Sequence, residues 1–233
     1  NTTIDEKMDQ LRSEQKRTRD EQEERLLDLL IRSHHEGKIT RNEIISNCIA
    51  VLVAGYDTTS TTLTYLLWVL ARHQSVQEML RSELMTYGTE APYLDQVINE
   101  AMRLYPALVK FTSRIATETV QFNGMTIPRG TKVIFNPWLI HRDPEIWPEP
   151  LKFDPERFAP GIEHHPCTYA PFGLGMKNCI GSQLAKLQLK MIVCDFLLRY
   201  RIRLIAPANL ELVTYSLFLT KPKNKVMLEL ERR

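Results

Sequence analysis

The sequence is poor in cysteine and nearly balanced in charge, and both features exclude classes of protein. Only four of the 233 residues are cysteines, with no Cys-x-x-Cys pair among them, so a disulfide framework is not indicated. Cys48 and Cys194 lie in apolar runs of helical character and are expected to be inert core thiols. The net charge of +2 and the lack of an arginine-rich tail argue against a nucleic-acid partner.

The chain also lacks the apolar runs that mark targeting and membrane segments. Residues 1–40 are rich in charge and contain no apolar stretch of the length that a signal peptide needs. From Ile44 to Ala71 the only charged residue is Asp57, but Asn47 and the hydroxyl residues 58–62 make this segment too polar for lipid. We therefore expect a long helix through the protein core rather than a membrane span.

Local signals define most of the predicted elements. A capping box at residues 40–43 predicts a helix from there to about Ala71, and Pro106 predicts the end of a later helix. Nine of the thirteen prolines lie between Pro128 and Pro171, so that stretch is predicted to be a meandering coil, neither helix nor central strand. The remaining predictions are helices at 75–86 and 94–104, a helix from the Cys179 loop to about 200, and short strands within 119–133, 202–205, 212–219 and 226–230.

Residues 172–181, Phe-Gly-Leu-Gly-Met-Lys-Asn-Cys-Ile-Gly, are the most informative segment of the chain. They place Cys179 on a glycine-rich loop directly before an apolar run with helical periodicity. Glycine permits positive φ and close approach to the backbone, and the start of a helix favours a thiolate. A rigidly held thiolate is what a haem iron takes from a cysteine ligand. The alternative is a buried structural cysteine on a turn, which does not account for so long a pattern.

The spacing Phe-x-x-Gly-x-basic-x-Cys-x-Gly resembles the haem-binding loop of the cytochrome P450 family. The resemblance implies that Cys179 is the proximal iron ligand of haem b (iron protoporphyrin IX), that Phe172 shields its sulfur, and that Gly175 makes the turn. It also implies that Gly181 lets the following helix pass close to the haem. Lys177 stands where the family usually has arginine, and it can still meet a haem propionate as a point charge.

On the long helix, Asp57 and Thr58 follow Ala54 and Gly55, two small residues that leave one face of the helix without large side chains. The Thr58 hydroxyl can bond a carbonyl four residues back and loosen the helix. An acid and an alcohol at such a gap can relay protons through water to a bound oxygen. The segment resembles the family's oxygen-activation segment, with Asp57 as the acid and Thr58 as the alcohol. For these residues alone, a polar kink in a core helix is the open alternative.

Three further residues resemble the family's Glu-Arg-Arg triad, which ties the proline-rich meander to the core beneath the haem. Glu100 and Arg103 are three apart, so they share one face of their predicted helix, and Arg157 lies in the meander. Ion pairs of this spacing on a protein surface are common and weak. A buried glutamate that bridges two guanidinium groups is a different case. The resemblance gives these residues a structural role rather than a chemical one.

The resemblance also places the substrate pocket. It implies that Arg114 meets a haem propionate and that the pocket walls are the segments 48–53, 107–114 and 215–219. Apolar walls accept apolar substrates, although core packing explains the same residues. A zinc site at residues 164–167 with Cys179 as a fourth ligand is set aside, because adjacent histidines rarely bind one ion and the spacing fits no structural zinc pattern.

Taken over residues 40–233, the resemblance implies a mainly α fold with small β-sheets (α+β), the C-terminal, haem-binding part of the cytochrome P450 fold. No repeat or domain boundary is seen, so 1–233 is expected to be a single partial domain. The nearest branches are the microsomal drug-metabolising clan and the neighbouring thromboxane-synthase branch, the latter on residues 109–114. The expected segments are a charged lead-in helix or linker at 1–39, the oxygen-activation helix at 40–72, the Glu-x-x-Arg helix at 94–104, the meander at 134–171 and the Cys loop with its helix at 172–200.

The implied function is that of a haem-thiolate monooxygenase, which inserts one oxygen atom from O2 into an apolar organic substrate. The implied partners are an NADPH-dependent flavoprotein reductase, O2 and a small apolar substrate, with no nucleic acid. The complete protein would lie at the cytosolic face of the endoplasmic reticulum membrane, held there only by an N-terminal part. In the family that part carries the anchor and the distal roof of the haem pocket, and we expect the present chain to lack it.

Two alternatives to a complete monooxygenase stay open. The connection at residues 86–93 is shorter than the family's and, with the expected lack of the N-terminal part, suits a truncated, non-catalytic fragment. The other alternative is a haem-thiolate isomerase or lyase that rearranges peroxides without outside electrons. The intact pair of Asp57 and Thr58 argues against it, because peroxide-rearranging relatives tend to lose that pair.

Overall fold

The computed structural model describes residues 25–109, 113–209, 212–215 and 219–233. The helices are α1 (Leu26–His35), α2 (Arg41–Arg72), α3 (Gln74–Tyr87), α4 (Pro92–Leu104), α5 (Pro137–Ile140) and α6 (Ser182–Arg199), with 3-10 turns at Gly88–Glu90, Pro155–Phe158 and Gly175–Lys177. The strands are β1 (Arg114–Ile115), β2 (Val120–Phe122), β3 (Met125–Ile127), β4 (Lys132–Val133), β5 (Tyr200–Ala206), β6 (Leu212–Tyr215), β7 (Leu219–Pro222) and β8 (Met227–Arg232). Helices with small sheets make this an α+β fold, as predicted.

The chain divides into two compact units between Ala54 and Gly55. In the first unit, the amide of Thr40 donates to the Glu43 carboxylate at 2.7 Å, and the Glu43 amide donates to the Thr40 hydroxyl at 3.3 Å. This reciprocal capping box starts α2 one residue after Thr40, which confirms the predicted start. That residues 1–233 form one partial domain stays a prediction.

In the second unit, the ends of the helices and the tight turn follow local signals. Helix α4 ends at Leu104, two residues before Pro106, as predicted. Strands β2 and β3 form a hairpin in which Val120 pairs with Ile127. The turn residues Asn123 and Gly124 both have positive φ, 46° and 77°, which a type I′ hairpin turn requires.

The hydrophobic core of the second unit is built on four helices. Buried Gln77 ties α3 to β5: its Nε2 donates to the carbonyls of Leu70 and Ile202, and its Oε1 accepts from the Ile202 amide, each at 2.9 Å. All its polar atoms are therefore satisfied although the side chain is fully covered. The buried apolar side chains include Leu66, Trp68 and Leu70 of α2, Leu80 and Leu84 of α3, Leu94, Val97 and Ile98 of α4, and Leu189, Val193 and Leu197 of α6.

The antiparallel strand pairs are β1 with β4, β2 with β3, β5 with β8, and β6 with β7. The segment predicted as one strand at 212–219 contains β6 and the first residue of β7, and these two strands pair with each other. Residues 216–218 lie outside the described residues. Cys194 is buried as expected, and burial raises the pKa of its thiol. Cys48 is only half-buried, so its assignment to the core was wrong.

The meander differs from the prediction at one place, where Pro137–Ile140 forms the short helix α5. Proline is tolerated at the first position of a helix because its missing N–H would have no partner there. Asn136 caps the helix, since its side-chain oxygen accepts the amide of Leu139 at 3.3 Å. The prediction of no helix was wrong because the number of prolines was weighed without their positions.

Among the described residues, no helix combines the length and the apolar character that a membrane crossing requires.

Candidate functional site

The loop that carries Cys179 is closed by its own backbone. The Cys179 amide donates to the Phe172 carbonyl at 2.8 Å, and the Asn178 amide donates to the Gly175 carbonyl at 3.1 Å. Gly173 and Gly175 adopt φ of 79° and 70°, a region that strains any residue with a Cβ. The glycines therefore fold the loop back on itself, and the short closing bonds hold Cys179 just before α6.

The Cys179 side chain is exposed at the end of this loop. A Cβ built on Gly181 would lie 3.9 Å from the Cys179 sulfur, an ordinary contact, so the protein alone does not require glycine there. Phe172 is half-buried and packs against the core, with the Lys186 ammonium 5.9 Å from its ring centroid. Lys177 lies in the 3-10 turn of the loop and is exposed.

Apolar side chains with unusual exposure surround the thiol. Met176 and Ile180, on either side of Cys179, are 100% and 99% exposed. The stripe continues along α6 at spacings of three and four residues, which places its members on one helix face: Leu184, Leu187 and Met191. An exposed apolar surface of this kind marks a binding site. A soft sulfur donor on a rigid loop beside apolar surface fits the chemistry of a haem held by cysteine.

The structure places Asp57 against a partner that sequence reasoning missed. Its Oδ1 lies 2.9 Å from Nζ of Lys221, on β7, and the two side chains are 40% and 39% exposed. The residues are 164 positions apart, so no local pattern could have revealed the pair. A Cβ on Gly55 would meet nothing within 4 Å, which agrees with the expected open helix face.

Hydroxyl groups on α2 bond back to the helix next to Asp57. Ser60 donates to the Asp57 carbonyl at 3.2 Å, Thr62 to the Thr58 carbonyl at 2.9 Å, and Thr64 to the Ser60 carbonyl at 2.8 Å. Such bonds compete with the helical ladder and bend helices. Bonds of the kind predicted for Thr58 are therefore made by its neighbours, and the helix itself is continuous from Arg41 to Arg72. The bond of the Thr58 hydroxyl itself stays a prediction.

Glu100, Arg103 and Arg157 form a buried cluster of charged side chains. The Glu100 carboxylate accepts from Arg103 Nε at 2.6 Å and from Arg103 Nη2 at 2.8 Å, and both side chains are fully buried. Nε of Arg157 lies 3.5 Å from the same carboxylate, whose Oε1 also accepts the Asp154 amide at 2.9 Å. Burial raises the pKa of Glu100 above its ordinary 4.5, and the bonds and charge of Arg103 counter that shift.

Arg103 also anchors the meander, as the resemblance to the Glu-Arg-Arg triad implied, through backbone carbonyls that no sequence pattern indicates. Its Nη1 donates to the carbonyls of His141 and Pro150 at 2.6 and 2.8 Å, and its Nη2 donates to the Lys152 carbonyl at 3.3 Å. Its guanidinium lies 5.1 Å from the ring centroid of Trp147. One buried arginine therefore fixes three separate points of the meander to α4.

The remaining predicted residues lie at separate places. Arg114 is exposed on β1, where it pairs with Val133 of β4. His164 packs on Trp147, and its Nε2 lies 2.8 Å from the Arg157 carbonyl oxygen. Of the predicted pocket walls, residues 110–112 and 216–218 lie outside the described residues.

Comparison with known proteins gives a consistent result. The family described as Cytochrome P450 matches residues 1–228. Cytochrome P450 3A40 of Oryzias latipes is 41% identical over 175 residues, 70% of this chain and 35% of that protein. Cytochrome P450 3A29 of Sus scrofa is 33% identical over 240 residues, 94% of this chain and 48% of that protein. Cytochrome P450 3A6 of Oryctolagus cuniculus is 33% identical over 246 residues, 97% of this chain and 48% of that protein.

These relatives are all longer than the chain, which spans about half their length or less. The family match nevertheless takes in the Cys179 loop and the buried carboxylate of Glu100 together with its two arginines. The expected resemblance is confirmed: the chain belongs to the cytochrome P450 family, whose members hold haem b through a cysteine thiolate.

Proposed function

We propose that this chain acts in a haem-thiolate monooxygenase that inserts one oxygen atom from O2 into an apolar organic substrate. The observation that supports this most strongly is the Cys179 loop. It presents a single exposed thiol on a backbone closed by the bond to Phe172, between apolar side chains that nothing else in the described chain covers. When bound there, the haem supplies a redox-active iron to which the thiolate donates electron density.

In this proposal the residues around the loop bind and orient the haem. Cys179 holds the iron, Gly175 shapes the turn, and Gly181 lets α6 run close to the porphyrin. Phe172 packs next to the sulfur and limits the access of water. The exposed apolar stripe from Ile180 to Met191 is surface whose burial would stabilise the bound state by roughly 25 cal/mol for each Å² removed from water.

The charged residues have separate functions in the proposal. Lys177 and Arg114 meet the haem propionates, and both are exposed and so accessible to an anionic group. Asp57 and Thr58 would hold and pass protons on the side of α2 that faces the haem site, Asp57 as the acid and Thr58 as the hydroxyl. Glu100, Arg103 and Arg157 act on structure alone, since they are paired with one another and with the meander backbone.

The partners and location follow from the same proposal. Electrons come from an NADPH-dependent flavoprotein reductase, and the substrate is a small apolar molecule. The complete protein is placed at the cytosolic face of the endoplasmic reticulum membrane. The similarity to Cytochrome P450 3A29 and Cytochrome P450 3A6 supports the proposed type of enzyme.

Replacing Cys179 by histidine tests the ligand assignment. In the haem-loaded protein, Cys179→His should move the absorption band of the reduced carbon monoxide complex from the thiolate position to the imidazole position, because the donor atom changes. Cys167→Ser is the matched control, since Cys167 is also an exposed cysteine but lies outside the closed loop, and it should leave the band in place. An unchanged band in Cys179→His would exclude Cys179 as the ligand.

Removing the Thr58 hydroxyl tests the proton relay. Thr58→Ala should retain haem and substrate affinity but lower the product formed per electron consumed, with the missing equivalents recovered as hydrogen peroxide. The measurement compares NADPH consumed, product and peroxide in one assay. Thr64→Ala removes the hydroxyl of another threonine on the same helix, which bonds to the Ser60 carbonyl, and it should keep the parent ratio. Equal ratios in all three proteins would contradict the relay.

A further inference from the structure

The ion pair between Asp57 and Lys221 joins the start of the oxygen-activation segment to the C-terminal hairpin of β6 and β7. Nζ of Lys221 lies 2.9 Å from Oδ1 of Asp57, a short, charge-assisted hydrogen bond. In the register of the two strands, Lys221 pairs with Val213, and Leu219 pairs with Tyr215. The ammonium thus reaches Asp57 from β7, whose first residue, Leu219, belongs to a proposed pocket wall.

The strand that carries Lys221 is firmly attached to the segment after α4. The amide of Thr220 donates to the Ala107 carbonyl at 2.8 Å, and its hydroxyl donates to the Pro106 carbonyl at 2.9 Å. Thr220 is buried, and Leu219 forms a bridge with Leu108. Lys221 therefore extends from a fixed backbone, so the direction from which it holds Asp57 is set by the fold.

The pair is too exposed to matter much for stability. Both side chains are about two-fifths exposed, and pairs of this kind contribute ~1 kcal/mol or less. Its effect is on orientation. The bond holds one oxygen of the Asp57 carboxylate against Lys221, and this fixes the direction in which the other oxygen points. Beside the pair lies an open cavity of about 280 Å³ lined by Ser60, Thr64 and Lys225, which has room for water.

We propose that Lys221 is a positioning residue for Asp57, through which the C-terminal hairpin sets the geometry of the proton relay. The inference rests on the proposed relay of Asp57 and Thr58. Because Lys221 extends from a strand bonded to Pro106 and Ala107, it holds the Asp57 carboxylate in one direction relative to Thr58.

The test compares three variants in the haem-loaded protein with its reductase. Lys221→Met should lower the product formed per electron by about fivefold, or ~1 kcal/mol, the upper end for a partly exposed pair. Substrate affinity should stay within about twofold of the parent, because the change acts on the relay. Lys221→Arg should restore most of the ratio. Lys225→Met removes a lysine that lines the same cavity and should match the parent.

A second readout is independent of turnover. The urea unfolding midpoint of Lys221→Met should be close to that of Lys225→Met, since the pair is too exposed to contribute much to stability. A clearly lower midpoint for Lys221→Met, which would point to a structural role, or a Lys221→Met ratio equal to that of Lys225→Met, would overturn the inference. If Asp57→Asn and Thr58→Ala also leave the product formed per electron unchanged, the proposed relay itself is wrong. If these two variants lower the product per electron and Lys221→Met does not, only the inference about Lys221 is wrong.

Discussion

Arg103→Met should lower the free energy of unfolding by about 3–5 kcal/mol, the range observed when one partner of a buried ion pair is removed. The variant leaves the Glu100 carboxylate fully buried without its two strongest donors. It also leaves the carbonyls of His141 and Pro150 without the guanidinium that they share. Urea unfolding followed by circular dichroism measures the change.

The size of this effect comes from desolvation rather than from attraction. A buried carboxylate has lost its water, and each buried carbonyl left without a donor costs about 1–3 kcal/mol. The positive charge of Arg157 is still 3.5 Å from Glu100, so part of the electrostatic compensation survives. The loss should therefore be partly recovered at low pH, where the Glu100 carboxyl, whose pKa burial already raises, becomes neutral.

Arg199→Met is the matched control for this prediction. Arg199 pairs with Asp195 at 2.6 Å on α6, but the two side chains are 67% and 55% exposed. The same substitution there should cost under about 1 kcal/mol, because both groups keep most of their water. Equal losses for Arg103→Met and Arg199→Met would show that Arg103 does not anchor the meander.

The parts of the fold that could be predicted are those set by neighbouring residues. The capping box at Thr40 fixed the start of α2 to within one residue, since its bonds join residues three apart. Pro106 fixed the end of α4 by the clash that proline imposes on the residues before it. Asn123 and Gly124 supplied the positive φ that a tight hairpin needs. Each of these signals is complete within a few positions of the chain.

The contacts that could not be predicted join distant positions. Glu100 and Arg103 were found because they share a helix turn, but the three carbonyls that Arg103 holds lie 38–49 residues away and are backbone atoms, which leave no trace in a sequence pattern. The contact of Lys221 with Asp57 was missed because the two residues are 164 positions apart in the sequence. A sequence can therefore propose candidate residues for a site, whereas the partners that those residues contact depend on the tertiary fold.

His141 joins the same buried network, and we expect it to make the stability of the protein depend on pH. Its Nε2 accepts the Ala170 amide at 3.1 Å, and its ring stacks on Tyr169 with centroids 5.5 Å apart. Burial lowers the pKa of His141 from 6.5 to about 4, because the interior disfavours the charged imidazolium and the Arg103 and Arg142 charges add to this. Protonation would also destroy the bond that Nε2 accepts. Between these two pH values the unfolded chain binds a proton that the folded protein does not.

Stability should therefore fall as the pH drops from 6.5 to about 4, with His141 contributing roughly 1.4 kcal/mol per pH unit and about 3 kcal/mol in all. His141→Phe removes the titrating ring but fills its space. It should be less stable at pH 7, because the Ala170 amide loses its acceptor, yet show a shallower decline across this window. Tyr169→Phe keeps the imidazole and should retain the parent's slope. Unfolding free energies from urea titrations at several pH values test this, and parallel curves for the parent and His141→Phe would show that folding does not lower the pKa of His141.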